Sequence, residues 1–282
     1  FSIWTMCDAC SDLFYNYLPA AYASGNAVMV TGFDSQPHSS YARRQLRKYL
    51  DSVLVKERYP LDNFETRKPV LLDWADSLVK YYGRTYATSG LYENMDHFLE
   101  ELSTYHASHY GNDFTCNVLL SIKSFASQSH TPGFDKLNIR DAQMALNLNW
   151  LVNVKYKNEK IIIWAHNFHI MNNSWDAMGH NAGKHYSMGN EFLKDSLNRM
   201  QSYVLGFDSK EGSAGRIMEK NTYEVREPKK NSSELWYGDD QYSFVDFTAY
   251  NHSTSSPEFF YMKGKDHRQH ALACIGREDG AE

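Results

Sequence analysis

Long stretches with helical apolar spacing alternate along this chain with short apolar runs of strand character. Leu13, Phe14, Tyr17, Leu18 and Ala21 share one face of a helix over residues 11–23, with Pro19 marking a kink or break and Gly25-Asn26 ending it. Residues 27–30, Ala-Val-Met-Val, read as a short buried strand. Residues 39–56 predict a helix opening on Ser39 or Ser40, with Arg43, Arg44, Arg47 and Lys48 as a solvated basic face. From Tyr59 to Pro69 the pattern lapses into a loop. Helical spacing then returns over 73–82, 95–109 and 117–129, which together predict a helical insertion or layer spanning 72–130. Thr131-Pro132-Gly133 breaks the chain, and Asn138 or Asp141 then caps a helix running to about Val154 with Met144, Ala145, Leu148, Leu151 and Val152 on its buried face.

Ile161, Ile162 and Ile163 are β-branched and consecutive, the pattern of a central strand covered on both faces. A helix over 190–200 and a strand over 202–207 add a further helix-strand unit. This alternation predicts an α/β fold with a mostly parallel or mixed central sheet flanked by helices. Further on, 219–231 reads as an exposed connection, 232–237 as the start of a short helix, 244–247 as a strand, 251–257 as a turn-rich loop, and 270–276 as a last strand before a disordered acidic end. No internal repeat is visible.

Composition narrows the partners. At 282 residues, 42% of them hydrophobic, the chain can bury a substantial core. A net charge of −5 without a basic block speaks against nucleic acid and anionic membrane surfaces. No apolar run reaches the length that crosses a bilayer, so a cytoplasmic protein is expected. Cys7, Cys10, Cys116 and Cys274 read as reduced thiols; a single Cys7-x-x-Cys10 pair does not make a zinc ribbon.

Candidate chemistry collects where the apolar run ends. His166, Asn167 and His169 follow Trp164-Ala165, and the carboxyl edge of an open α/β sheet is where ligands bind. Two histidines three apart converge only if the backbone turns there; otherwise one is a satisfied core residue and the other a surface residue. Asp34 and Gln36 follow the 27–30 strand to a similar edge, Asp34 serving either as a helix cap or as a site carboxylate. Arg140 lies near a predicted helix start, where the dipole does not favour a cation, so it serves either a surface ion pair with Asp135 or Asp141, or a site. Histidine titrates near neutrality and suits acid-base work on an ester, with Asn167 and Arg140 as donors to the developing oxyanion. Gly-x-Ser-x-Gly is absent, which disfavours a serine nucleophile. No cofactor is expected. Two alternatives stand beside this reading: a hydrolase holding a divalent ion through His166, His169 and Asp34, and a non-catalytic binding protein. His106 and His109 also share a metal-compatible spacing, without a third ligand.

An ordered set of motifs resembles the erythromycin esterase family. It comprises Gly32-Phe33-Asp34-Ser35-Gln36, Arg140-Asp141, Met144-x-x-Asn147-x-x-Trp150, Ala165-His166-Asn167-Phe168-His169, Met188-Gly189, and Gly206-Phe207 before Gly212. The resemblance runs from about Asn26 to Ile217. It implies a small-molecule ester or lactone as substrate, hydrolysis of a macrolide lactone or related ester by histidine-activated water, and a site role for Arg140. The family's Gly-Glu-x-x-His-Gly element, whose histidine is its proposed base, has no counterpart between Phe1 and Glu282. Residues 1–282 are therefore expected to form a single α/β domain that starts mid-protein, and to be weakly stable and little active alone.

Overall fold

A computed structural model describes residues 8–26, 28–37, 39–81, 89–172, 174, 185–207, 209–215, 221–228, 233–236 and 243–244. Residues 245–247 of the strand expected over 244–247, the strand expected over 270–276, the loop over 251–257, and Cys7 and Cys274 lie outside these residues. The chain divides into two compact units, one made of Phe1–Gly32 with Asp208–Phe244 and the other of Phe33–Phe207 with Val245–Glu282.

In the first unit, helix α1 covers residues 8–23. It runs through the expected break: Asp12–Tyr17 adopts π-helical winding that continues into the α-helical segment Leu18–Ala23, and Pro19 removes one intrahelical N–H without ending the helix. Gly25, with a φ of +80°, turns the chain away. Two strands, β1 (Ser213–Gly215) and β2 (Thr222–Glu224), pair antiparallel with Ala214 opposite Tyr223. β2 falls in the stretch expected to be a plain connection. A 3-10 turn at Ser233–Trp236 matches the short helix expected there.

The second unit is helical in its larger part. Helix α2 (Ser40–Glu57) starts where the side chain of Ser39 accepts a hydrogen bond from the amide of Ala42, and it ends at Arg58 in the left-handed conformation. α3 (Phe64–Lys80) begins nine residues earlier than its apolar spacing predicts and carries Pro69 inside it. Pro69 removes one intrahelical bond, whereas the extra turns bury Phe64, Leu71 and Leu72. α4 (Ser89–Tyr110) and α5 (Phe114–His130) complete the layer, with Asp113 capping α5 through the amide of Cys116. Leu50, Leu54, Leu71, Leu78, Phe98, Leu99, Leu102 and Leu119 form its core and are almost wholly shielded from solvent. His106, whose spacing with His109 matched a metal site, is buried between the Tyr59 hydroxyl (2.6 Å) and Asp113 (2.9 Å), and His109 contacts the carbonyl of Tyr105.

α6 (Asp135–Trp150) continues as π-helix through Leu151–Lys155. It begins ahead of both expected caps. α7 (Asn167–Ile170), α8 (Met188–Phe192) and α9 (Ser196–Gln201) are short, and Asp195 caps α9 where one continuous helix was expected. Met144, Ala145 and Leu148 of α6 pack with Met188, Phe192 and Leu193 in a second core, which Phe33, Ile163 and Val204 cover.

The expected parallel or mixed central sheet is not formed among the described residues, where β1 and β2 are the only paired strands. Residues 28–30, 161–166 and 202–207 are neither helix nor strand. Val28, Met29 and Val30 are exposed rather than buried. Ile162 is 96% exposed while Ile163 packs against the second core, so the three isoleucines do not share one buried environment. Side chains that alternate in and out belong to an extended backbone, but a strand also needs a neighbour in register. Among the described residues no helix is long and apolar enough to cross a membrane.

Candidate active site

Asp141 sits on the face of α6 that carries Met144, Ala145 and Leu148, and it is fully buried. A carboxylate there must be satisfied by donors. Its Oδ1 lies 2.8 Å from His169 Nδ1 on α7, and its Oδ2 accepts the amide of Met188 at the start of α8, 3.0 Å away. Two short elements, α7 and α8, thus meet on this one side chain of α6. Carboxylate Oδ1 can only accept, so His169 Nδ1 carries the proton and, in the neutral ring, Nε2 is left with its lone pair.

α7 is built to present that ring. His166 caps it: the amide of Phe168 donates to His166 Nδ1 at 3.1 Å, so the neutral ring carries its proton on Nε2. The segment between His166 and His169 is a single helical turn, closed by His169 N–H on the carbonyl of His166 at 2.8 Å. Asn167 uses its amide as a clamp, donating to the carbonyl of Phe207 (2.5 Å) and accepting from the amide of Phe207 (3.2 Å). Gly189 lets α8 approach α7 closely, since a Cβ there would collide with the carbonyl of Ile170.

Asp34 and Arg140 find each other. Arg140 donates from Nε and Nη2 to the two carboxylate oxygens of Asp34 at 3.1 and 2.6 Å, a bidentate pair in a partly exposed setting. Arg140 lies in the second turn of α6 rather than at its start, so the dipole argument does not bear on it. Residues 33–36 are held along their length: Asn147 donates to the carbonyl of Phe33 (3.0 Å), and Gln128 bonds both Ser35 (3.2 Å) and Gln36 (2.9 Å). Gln36 therefore fixes this segment, and its own amide donates to Asp34 at 3.1 Å. Among the described residues, no three His, Cys, Asp or Glu side chains converge as a metal-binding group.

Two members of the cluster escaped sequence reasoning. Asp141 stood out as part of Arg140-Asp141, yet its signal was a lone carboxylate on an otherwise apolar helical face. His185 gave no signal. It is fully buried, stacked on Phe168 with ring centres 4.3 Å apart, and its Nε2 lies 3.7 Å from Asp141 Oδ2 without a hydrogen-bond partner. Burial pulls its pKa below the ordinary value and His169 adds to that, against the opposing pull of Asp141.

The family model for erythromycin esterase matches residues 15–272. A Bacillus subtilis (strain 168) protein, YbfO, whose name assigns it provisionally as a hydrolase, is 23% identical over 227 residues, which make up 71% of this chain and 49% of that protein. The chain thus spans about half the length of this relative. No solved structure matches it.

Proposed function

Since the chain belongs to the erythromycin esterase family, we propose that it hydrolyses small-molecule carboxylic esters, macrolide lactones among them, with water activated by histidine. The observation that carries this reading is the 2.8 Å bond from His169 to the buried Asp141. A carboxylate on Nδ1 fixes the ring and its tautomer, and it stabilises the imidazolium formed when Nε2 takes a proton from water. His166 has the complementary tautomer. Its Nε2–H is a donor that can meet the oxygen on which charge develops as the carbonyl is attacked, so the two histidines divide the work of base and oxyanion donor. Arg140 binds the polar part of the substrate while Asp34 holds its guanidinium in place, and Asn167 keeps α7 seated.

The test is turnover of a panel of p-nitrophenyl esters and macrocyclic lactones by the intact chain and by His169→Ala. The variant should lose roughly two to four orders of magnitude in kcat, the scale of general acid-base catalysis. Near-unchanged turnover in a folded His169→Ala protein would remove His169 from the chemistry. Binding of a lactone without any turnover by the intact chain would instead favour a non-catalytic binding protein.

A further inference from the structure

Asn138 fixes the state of His185. Asn138 Oδ1 accepts the amide of Tyr186 at 2.9 Å, and a backbone N–H can only donate, so the atom facing it is the oxygen. The same oxygen lies 3.1 Å from His185 Nδ1, which must therefore carry a proton. In the neutral ring Nε2 then has a bare lone pair. That lone pair faces Asp141 Oδ2 at 3.7 Å, inside a fully buried pocket. His185 is held in this pose from several sides. Ser174 donates to its carbonyl at 2.7 Å, the amide of Ser187 donates to Ser174 Oγ at 3.0 Å, and Ser187 in turn donates to the carbonyl of Met171. Phe168 stacks on its face and meets the His169 ring edge-on, with centres 5.6 Å apart.

We propose that His185 is a positioning residue for the Asp141–His169 pair: a neutral, buried imidazole that closes off Asp141 Oδ2 without donating to it and braces Phe168 against His169. A carboxylate shares its basicity among the donors it accepts. With His185 silent, Oδ2 accepts the Met188 amide, and Oδ1 is committed to His169. A donor in place of His185 would draw charge towards Oδ2 and weaken the hold on the His169 imidazolium. Among the described residues, the titratable groups facing the His185 ring are Asp141 on α6 and His169 on α7, while Phe134 just before α6, Asn138 of α6 and Phe168 of α7 supply the uncharged walls.

This inference rests on the hydrolase reading only for its kinetic arm, and the decisive measurement needs no turnover. NMR of the intact chain reads the tautomer of each histidine and the resonance of the His169 Nδ1–H that Asp141 accepts. The expected result at neutral pH is His185 protonated on Nδ1 alone. In His185→Gln, whose side-chain amide can donate to Oδ2, the His169 Nδ1–H resonance moves upfield as its bond to Asp141 weakens. In His185→Phe, which restores the wall and the stack but offers no proton, it stays where the intact chain has it. The acid limb of kcat/KM for a p-nitrophenyl ester follows the same order. A proton on His185 Nε2 in the intact chain overturns the proposal, and so does a Gln variant whose His169 Nδ1–H resonance matches the parent's or a Phe variant whose resonance shifts as far as that of Gln. If no ester is turned over, the hydrolase reading fails while the NMR result still decides the role of His185.

Discussion

The helical layer of α2 to α5 and the half that carries the site treat their apolar residues in opposite ways. In the layer, Phe98, Leu99 and Leu102 are fully shielded, and every helix satisfies most of its backbone internally. In the other half, Ile162, Trp164, Tyr203, Leu205 and Phe207 are exposed, while their alternate neighbours Ile163 and Val204 cover the second core. A helix becomes a helix through bonds along its own sequence, so apolar spacing alone can specify the layer. An extended segment becomes a strand only through a neighbour, so the same hydrophobic signal is half a specification there.

The comparison breaks most sharply at the core of the layer. Phe98→Ala should cost about 3–5 kcal/mol of unfolding free energy, because a fully buried ring leaves a cavity among α3, α4 and α5, and a urea titration measures it. A smaller loss is expected at the seam between α7 and α8. Gly189→Ala should cost about 1–3 kcal/mol by overpacking against the Ile170 carbonyl, and ester turnover should fall with it as the Met188 amide is pushed off Asp141.

Acid should act through His185. Its folded-state pKa lies below the ordinary 6.5, so below that value the unfolded chain takes up a proton that the folded chain refuses. Stability is then complete above about 6.5 and declines as pH falls from there towards the lowered folded value. Urea midpoints measured across this window should slope downwards on the acid side, and His185→Phe should flatten the slope. The smallest effect is expected at Ile162→Ala, within about 0.5 kcal/mol in the same titration, since the side chain is exposed. A loss of several kcal/mol there would show that Ile162 is covered in solution and would erase the contrast between the two halves.

The sequence made the layer legible because its caps and spacing are local. Ser39 and the apolar periodicity of 117–129 place α2 and α5 to within three residues, and that of 95–109 places the end of α4 but leaves out its first six residues. α3 was cut short by Pro69, whose local penalty is outweighed by burial that only the tertiary structure supplies. At the site, each motif has a physical partner that spacing does not name: Asp34 finds Arg140, Asn147 the Phe33 carbonyl, Asn167 the Phe207 backbone, and Gly189 the carbonyl of Ile170. His169 was legible as a titratable group after an apolar run. Asp141 and His185 were not, since a buried carboxylate and a buried imidazole declare themselves only through what surrounds them.

The Asn167 clamp has a consequence for motion. By holding both the N–H and the C=O of Phe207, a single side chain reproduces one rung of a ladder between two segments 40 residues apart. The amide hydrogen of Phe207 can exchange with solvent only when that rung opens, and opening it also frees the first residue of the turn that carries His166 and His169. Exchange at Phe207 is therefore a clock for the loosening of the histidine turn, and it should run slower when a ligand steadies that turn.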